Sequence, residues 1–218
     1  RDIHQLRSRN DRLSAPRQLA RSTFSSVILQ NTMNEIEVKA KVANLSLLKD
    51  KLGKLGIKLS HPITQRDRIF FPKDLVGQFT DMKRRGKRTK APALRIREQG
   101  KKIIFTYKIP VSNNLDKLEF ESGIDNPEAM TSICEQLGFV LHVRVNKIRR
   151  KASFNGYEIC LDEVEDLGSF IEVEKMSDKP ADMIQKELWE FLKTLGIKEE
   201  DRQLYGYDIL LEMKKANS

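Results

Sequence analysis

The stretch Glu35-Ile36-Glu37-Val38-Lys39 alternates charged and apolar side chains. Successive side chains of a β-strand point to opposite faces. A strand here would therefore place its two glutamates and its lysine on one face and its two aliphatic residues on the other. A single strand of this kind indicates only a half-exposed sheet. The alternation recurs along the chain, however, and that recurrence constrains the fold more than any single motif does.

Four further segments repeat the alternation and carry mostly one sign of charge on the charged face. They are Leu94-Arg95-Ile96-Arg97, Leu118-Glu119-Phe120-Glu121, the basic ladder Lys147-Ile148-Arg149-Arg150-Lys151, and Ile171-Glu172-Val173-Glu174. An open sheet would leave these faces in water, with cross-strand salt bridges between them. A sheet closed on itself would instead enclose them. Basic side chains would then bind phosphate oxygens, and carboxylates would hold a hard cation such as Mg²⁺.

The remaining periodicity predicts about eight strands and a few helices on the outer faces, in one domain. The predicted strands cover residues 33–42, a segment ending near 71, and 92–98, 101–109, 115–123, 139–152, 156–163 and 168–176. Helices are predicted after Asn44, from Pro127 and after Pro180, followed by a short final helix. The pattern alone leaves an open antiparallel α+β sheet as the alternative to a closed one.

The sequence does not determine which face of the strand at 139–152 points inward. Val143 and Val145 share strand parity with the basic ladder that begins at Lys147. A bulge, or a strand that runs from an apolar mouth into a charged interior, would reconcile the two. The alternative is that Arg144 and Arg150 form the inward pair.

Taken in order, these motifs resemble the CYTH superfamily, also called the triphosphate tunnel metalloenzymes. That group includes class IV adenylate cyclases, thiamine triphosphatases and inorganic triphosphatases. Residues 35–39 match its ExExK signature, and the resemblance covers roughly residues 34–214. The other matching blocks are residues 93–98, 106–108, 119–121, 147–149 and 161–174. The resemblance implies an α+β fold with a closed eight-stranded antiparallel β-barrel and helices packed on its outside.

The resemblance also implies roles for the charged positions. The implied ligands of Mg²⁺ or Mn²⁺ are Glu35, Glu37, Glu119, Glu121, Glu172 and Glu174. The implied triphosphate contacts are Lys39, Arg95, Arg97, Lys108, Lys147 and Arg149. The implied catalytic residues are Glu35, Glu37, Lys39 and Asp162, of which Asp162 would organise metal or water rather than act as a general base.

The implied function is metal-dependent chemistry on a small molecule that bears a triphosphate, such as ATP, tripolyphosphate or thiamine triphosphate. The first choice is a class IV adenylate cyclase-like reaction that converts ATP to cyclic AMP and pyrophosphate, because the tail at 204–211 is similar to the ending of cyclase-like members. An inorganic or thiamine triphosphatase of the same fold is the alternative. Resemblance to cyclase-like members also implies a homodimer.

A non-catalytic module that binds polyphosphate or RNA is the second alternative. The net charge of +9 and the basic run at 83–90 favour it. The glutamate pairs oppose it, because they would repel a polyanion unless metal is present, so nucleic acid is not the expected partner. The chain has no GxxxxGK, GxGxxG, HExxH or CxxC motif, which argues against P-loop, Rossmann and zinc-peptidase sites.

Residues 1–33 contain arginines and serines but no lysine, unlike the rest of the chain. We expect a disordered N-terminal extension or non-native sequence there, with an organelle presequence as a third interpretation, and a tunnel domain over 34–216. No apolar run approaches the ~18–20 residues of a membrane helix. The two widely separated cysteines favour reduced thiols and a cytoplasmic location, with no membrane partner.

Overall fold

The computed structural model of the chain describes residues 34–76, 91–110 and 116–216. Within these ranges nine strands and four α-helices form an α+β fold, and all nine strands belong to one antiparallel sheet. The predicted α+β class and antiparallel sheet are confirmed. The predictions for residues 1–33 and for the basic run at 83–90 lie outside the described residues.

The elements follow the predicted order along the chain. The strands are β1 (Asn34–Val42), β2 (Ile63–Pro72), β3 (Ala93–Gln99), β4 (Lys102–Pro110), β5 (Asp116–Gly123), β6 (Phe139–Phe154), β7 (Tyr157–Val164), β8 (Gly168–Ser177) and the two-residue β9 (Arg202–Gln203). The helices are α1 (Leu45–Lys54), α2 (Pro127–Gln136), α3 (Ala181–Thr194) and α4 (Tyr207–Lys215).

The strands are ordered β5-β4-β3-β2-β6-β7-β8-β1-β9 across the sheet. In addition, β1 pairs with β5 through Glu35–Lys117 and Ile36–Asp116. These two residue pairs are all of the β1–β5 register among the described residues, and they do not by themselves close the sheet. The closed eight-stranded barrel therefore stays a prediction.

Local signals in the sequence account for several element ends. The Asn44 side chain caps α1 by accepting a hydrogen bond from the Leu47 N–H at 2.9 Å. Asn126 caps α2 in the same way, and Pro127 occupies the first helical position. Asn155 and Gly156 join β6 to β7 with φ angles of 50° and 79°, as expected for a tight hairpin turn with two left-handed residues.

The apolar faces of the strands pack against helices. Ile36 and Val38 of β1 belong to a buried cluster with Leu52 of α1 and Leu188 and Leu192 of α3. This packing fixes which face of β1 is covered. Because side chains alternate along a strand, the charged residues of β1 project from the opposite face.

The structure decides the open question about β6. Lys147 and Arg149 are buried, whereas Arg144 is exposed, so the alternative that Arg144 and Arg150 point inward is wrong. Val143 and Val145 lie on the same face in an apolar cluster. The strand thus passes from an apolar region into a charged one, with a register shift against β2 at the apolar end.

No helix in the described ranges is both long and apolar enough to cross a membrane. Cys134 and Cys160 are both buried and unbridged.

Candidate functional site

The charged faces of the strands line one cavity of about 450 Å³. Every predicted site residue except Asp162 lies on its wall. These residues are Glu35, Glu37, Lys39, Arg95, Arg97, Lys108, Glu119, Glu121, Lys147, Arg149, Glu172 and Glu174. The structure thus brings together side chains that are up to 139 positions apart in the sequence.

Three of the carboxylates form a compact cluster. Glu37 of β1 stands directly across from Glu174 of β8, and together with Glu35 they offer oxygen atoms that all lie within 4.8 Å of one another. Burial raises the pKa of Glu174 to about 8, and the negative charge of Glu172 contributes to the same shift. Closely spaced oxygen ligands with excess negative charge suit a hard divalent cation, so these residues fit such an ion.

Glu172, another predicted metal ligand, faces the basic side chains instead. Its carboxylate lies 2.9 Å from Lys39 Nζ and also contacts Arg149. Burial alone would raise the pKa of Glu172, but the charges of Lys39 and Arg149 hold it well below its usual range. Glu172 is therefore ionised and already pairs with two basic side chains, those of Lys39 and Arg149.

Glu119 and Glu121 of β5 are likewise paired with basic residues, one on the adjacent strand β4 and one on β3, the next strand beyond it. Lys108 contacts Glu119, and Arg95 Nη2 lies 3.0 Å from Glu121 Oε1. Neither glutamate belongs to the three-carboxylate cluster of Glu35. Three of the six predicted metal ligands thus form a carboxylate cluster whose spacing could hold a cation, and the other three pair mainly with basic side chains.

Asp162 lies behind the cavity wall and is fully buried. It accepts hydrogen bonds from Lys147 Nζ at 3.1 Å, from Arg149 Nε at 2.7 Å and from the Tyr207 hydroxyl at 2.9 Å. Burial would raise the pKa of Asp162, but the charges of Lys147 and Arg149 lower it. The carboxylate therefore anchors two basic side chains of the cavity.

The wall residues that sequence reasoning did not predict include Asp67 and Tyr207, which both contact predicted site residues. Asp67 follows Arg66 and precedes Arg68 on β2, so no alternation of polar and apolar residues marks its inward face. Tyr207 reaches the cavity from the first turn of α4, where strand parity gives no information. In the sequence, the only signal from the tail around Tyr207 is its similarity to the ending of cyclase-like members.

The cavity is chemically suited to a polyanion together with a divalent cation. Its basic side chains come from β1, β3, β4 and β6, and each could exchange a carboxylate partner for a phosphate oxygen. A cation in the Glu35 cluster would remove the repulsion between those carboxylates and the bound anion.

Comparisons with known proteins agree with this geometry. The CYTH domain family model matches residues 33–207. A Methanocaldococcus jannaschii protein named "Putative adenylate cyclase" is 33% identical over 173 residues, which make up 78% of this chain and 93% of that protein.

Solved structures show the same fold. A Pyrococcus horikoshii protein is 27% identical and superposes with a TM-score of 0.65, covering 80% of this chain and 97% of its own. A Hippeastrum protein described as a "Putative adenylyl cyclase" with a dominant triphosphatase activity is 20% identical, with a TM-score of 0.53 over 80% of this chain and 91% of its own. At that identity the second likeness shows the fold alone.

Proposed function

Because the chain belongs to the CYTH domain family, we propose that it is a divalent-metal-dependent enzyme that acts on a triphosphate inside the charged cavity. One observation carries this proposal. The carboxylate cluster of Glu35, Glu37 and Glu174 shares a single cavity with basic side chains from four strands. A metal-neutralised polyanion is the ligand that uses both sets of charges.

We propose further that the sheet works as a closed tunnel. The pairing of Glu35 with Lys117 and of Ile36 with Asp116 supports this. The cavity wall supports it as well, because each of the strands β1 to β8 contributes at least one side chain. A tunnel surrounds its ligand with charged groups and shields them from water, which strengthens every electrostatic contact.

The proposed roles follow from the contacts. Lys39, Arg95, Arg97, Lys108, Lys147 and Arg149 bind phosphate oxygens. Glu35, Glu37 and Glu174 hold Mg²⁺ or Mn²⁺, which when bound neutralises charge that develops on the phosphate. Glu172 and Asp162 keep Lys39, Lys147 and Arg149 oriented toward the cavity. Glu119 and Glu121 do the same for Lys108 and Arg95.

Our first choice of reaction is the conversion of ATP to cyclic AMP and pyrophosphate. The ribose 3′-oxygen bonds to the α-phosphorus while the bond to the departing pyrophosphate breaks, and the hydroxyl proton is released. The Methanocaldococcus jannaschii relative named "Putative adenylate cyclase" supports this choice. An apolar part of the wall, formed by Ile69, Phe71, Val145 and Ile209, also favours a substrate with an organic portion over bare tripolyphosphate.

Hydrolysis of a terminal phosphate is the second candidate. The same basic side chains would hold the triphosphate, and only the position of the attacking oxygen would differ. The triphosphatase activity described for the Hippeastrum protein indicates that this fold is compatible with hydrolysis.

The deciding experiment compares the purified chain with its Glu35→Gln variant on ATP, tripolyphosphate and thiamine triphosphate, in Mg²⁺, Mn²⁺ or EDTA. Cyclic AMP with equimolar pyrophosphate, lost in EDTA and in the variant, is the expected result. Orthophosphate without cyclic AMP would replace the cyclase by the triphosphatase. Glu163→Gln, which changes an exposed glutamate on β7, serves as the control and should retain full activity.

Failure to turn over or bind any of these substrates would overturn the enzyme proposal. RNA binding that weakens with salt yet persists in EDTA would then favour a non-catalytic binding module.

A further inference from the structure

We propose that Tyr207, at the start of α4, is a positioning residue that holds the basic side chains of the cavity in place for a triphosphate. This inference rests on the proposed function and adds to it a residue that comes from a helix rather than from the sheet. Tyr207 is 7% exposed, and it reaches the cavity wall beside Lys39 and Lys147.

The hydroxyl group of Tyr207 acts through Asp162. It donates a hydrogen bond to Asp162 Oδ2 at 2.9 Å, and the same oxygen accepts from Lys147 Nζ at 3.1 Å. Arg149 binds this carboxylate through two of its nitrogens. Three side chains thus donate to the Asp162 carboxylate: the cationic Lys147 and Arg149, and the neutral Tyr207 hydroxyl. The hydroxyl group restricts the carboxylate to one orientation.

The ring of Tyr207 acts on the lysines directly. Lys39 Nζ lies 4.2 Å from the ring centroid and Lys147 Nζ lies 4.9 Å from it. Both distances fall within the ~6 Å range of cation–π attraction. The backbone carbonyl of Tyr205, two residues earlier, also accepts from Lys39 Nζ at 3.5 Å. The segment that leads into α4 thus contacts Lys39 at two points.

The ring is itself held by apolar neighbours. Phe170 packs edge-on against it with the ring centroids 5.1 Å apart, and Val143 and Val145 belong to the same buried cluster. A fixed ring gives the flexible lysines a defined resting position. The two lysine side chains therefore lose less conformational entropy when a triphosphate binds.

The test measures tripolyphosphate binding by calorimetry in MgCl₂, with phosphorus NMR afterwards to verify that the ligand is intact; if it has been hydrolysed, CaCl₂ replaces MgCl₂. The proteins are the unaltered chain, Tyr207→Phe, Tyr207→Leu, Lys39→Met and the double variant Lys39→Met/Tyr207→Leu. Tyr157→Phe is the matched control, because the Tyr157 hydroxyl also donates to a carboxylate, that of Glu187 at 2.8 Å, but outside the cavity.

We expect Tyr207→Leu to weaken binding about tenfold or more, because it removes both the ring and the hydroxyl group. Tyr207→Phe should weaken it less, since the ring remains over the lysines. In the Lys39→Met background, Tyr207→Leu should cost less than about threefold, because part of its effect acts through Lys39. Tyr157→Phe should bind as the unaltered chain does.

Two results would overturn the inference. One is unchanged affinity in both Tyr207 variants. The other is an equal loss from Tyr207→Leu with and without Lys39, which would indicate a general structural role. If Tyr207→Leu does not fold, as judged by near-ultraviolet circular dichroism, Tyr207→Phe decides alone. If the unaltered chain does not bind tripolyphosphate, ATP in CaCl₂ replaces it as the ligand for all the variants. Absence of binding to both ligands would instead contradict the proposed function itself.

Discussion

Arg97 and Asp67 form a two-point ion pair on the cavity wall. Arg97 Nε lies 2.7 Å from Asp67 Oδ1, and Nη2 lies 2.7 Å from Oδ2. The two residues face each other across β2 and β3. Because two hydrogen bonds fix the Arg97 guanidinium relative to the Asp67 carboxylate, the guanidinium is already oriented in the cavity before any phosphate binds.

Replacing Asp67 with asparagine should lower the free energy of unfolding by about 3 kcal/mol. Asp67 is 4% exposed, and loss of its charge would leave the largely buried Arg97 guanidinium without its hydrogen-bonded counter-ion. Urea denaturation measures the change. Asp178→Asn, at an exposed position, is the control and should alter stability by less than about 0.5 kcal/mol. An equally small effect at Asp67 would refute the energetic importance of the pair.

The same pair predicts a pH dependence of stability. Burial would raise the pKa of Asp67, but the hydrogen bonds and charge of Arg97 outweigh it and lower the pKa to about 2. The folded-state pKa lies below the ordinary value of 3.8, so the unfolded chain takes up this proton first as the pH falls. The stabilisation, about 2 kcal/mol, is therefore complete above pH ~4 and is lost as the pH falls toward 2. Subtracting the unfolding free energy of Asp67→Asn from that of the unaltered chain across pH 2–6 isolates this contribution; a difference that stayed constant down to pH 2 would contradict it.

Two glycines should respond in opposite directions to substitution by alanine. Gly156 has a φ angle of 79° in the β6–β7 turn, a conformation that costs an L-residue about 1–2 kcal/mol. Gly53 lies inside α1 with open space around the position of an added Cβ, so alanine there should stabilise the protein by about 0.5–1 kcal/mol. Thermal unfolding of both variants provides the comparison. Stabilisation by Gly156→Ala would show that the turn does not constrain the hairpin as proposed.

Strand parity was sufficient to predict which side chains of β1, β3 and β8 share a face. In residues 35–39 of β1, 94–97 of β3 and 171–174 of β8, each charged residue alternates with an aliphatic one. Burying the aliphatic face leaves only one direction for these charges. In β6 the inward face changes from Val145 to Lys147 without a change of parity. Here the sequence alone left two orientations open, and the position of β6 in the sheet was needed to choose between them.

The partners of each charge could not be predicted, because they depend on strand order and register. Glu172 and Glu174 occupy equivalent positions in one motif, yet Glu172 pairs with Lys39 whereas Glu174 joins the carboxylates of β1. Only the β1–β8 register, which places Glu37 opposite Glu174 and Lys39 opposite Glu172, separates their surroundings. The contribution of Tyr207 depends in addition on where the final helix packs.

Glu174→Gln should separate metal binding from stability. Burial and the neighbouring carboxylates of Glu172, Glu35 and Glu37 raise the pKa of Glu174 to about 8. Near neutral pH the folded chain must therefore keep this group protonated, whereas the unfolded chain ionises it, and this difference destabilises the fold. In EDTA we therefore expect the variant to be at least as stable as the unaltered chain, although it also loses a 3.8 Å contact with Arg149. Its Mn²⁺ affinity should fall at least about tenfold, since changes beyond the ligands themselves already have effects of that size.

Urea unfolding in EDTA and Mn²⁺ titration followed by electron paramagnetic resonance measure the two quantities, with Glu163→Gln as the control. Reduced stability combined with unaltered Mn²⁺ affinity would identify Glu174 as a structural partner of Arg149 and remove it from the proposed metal site.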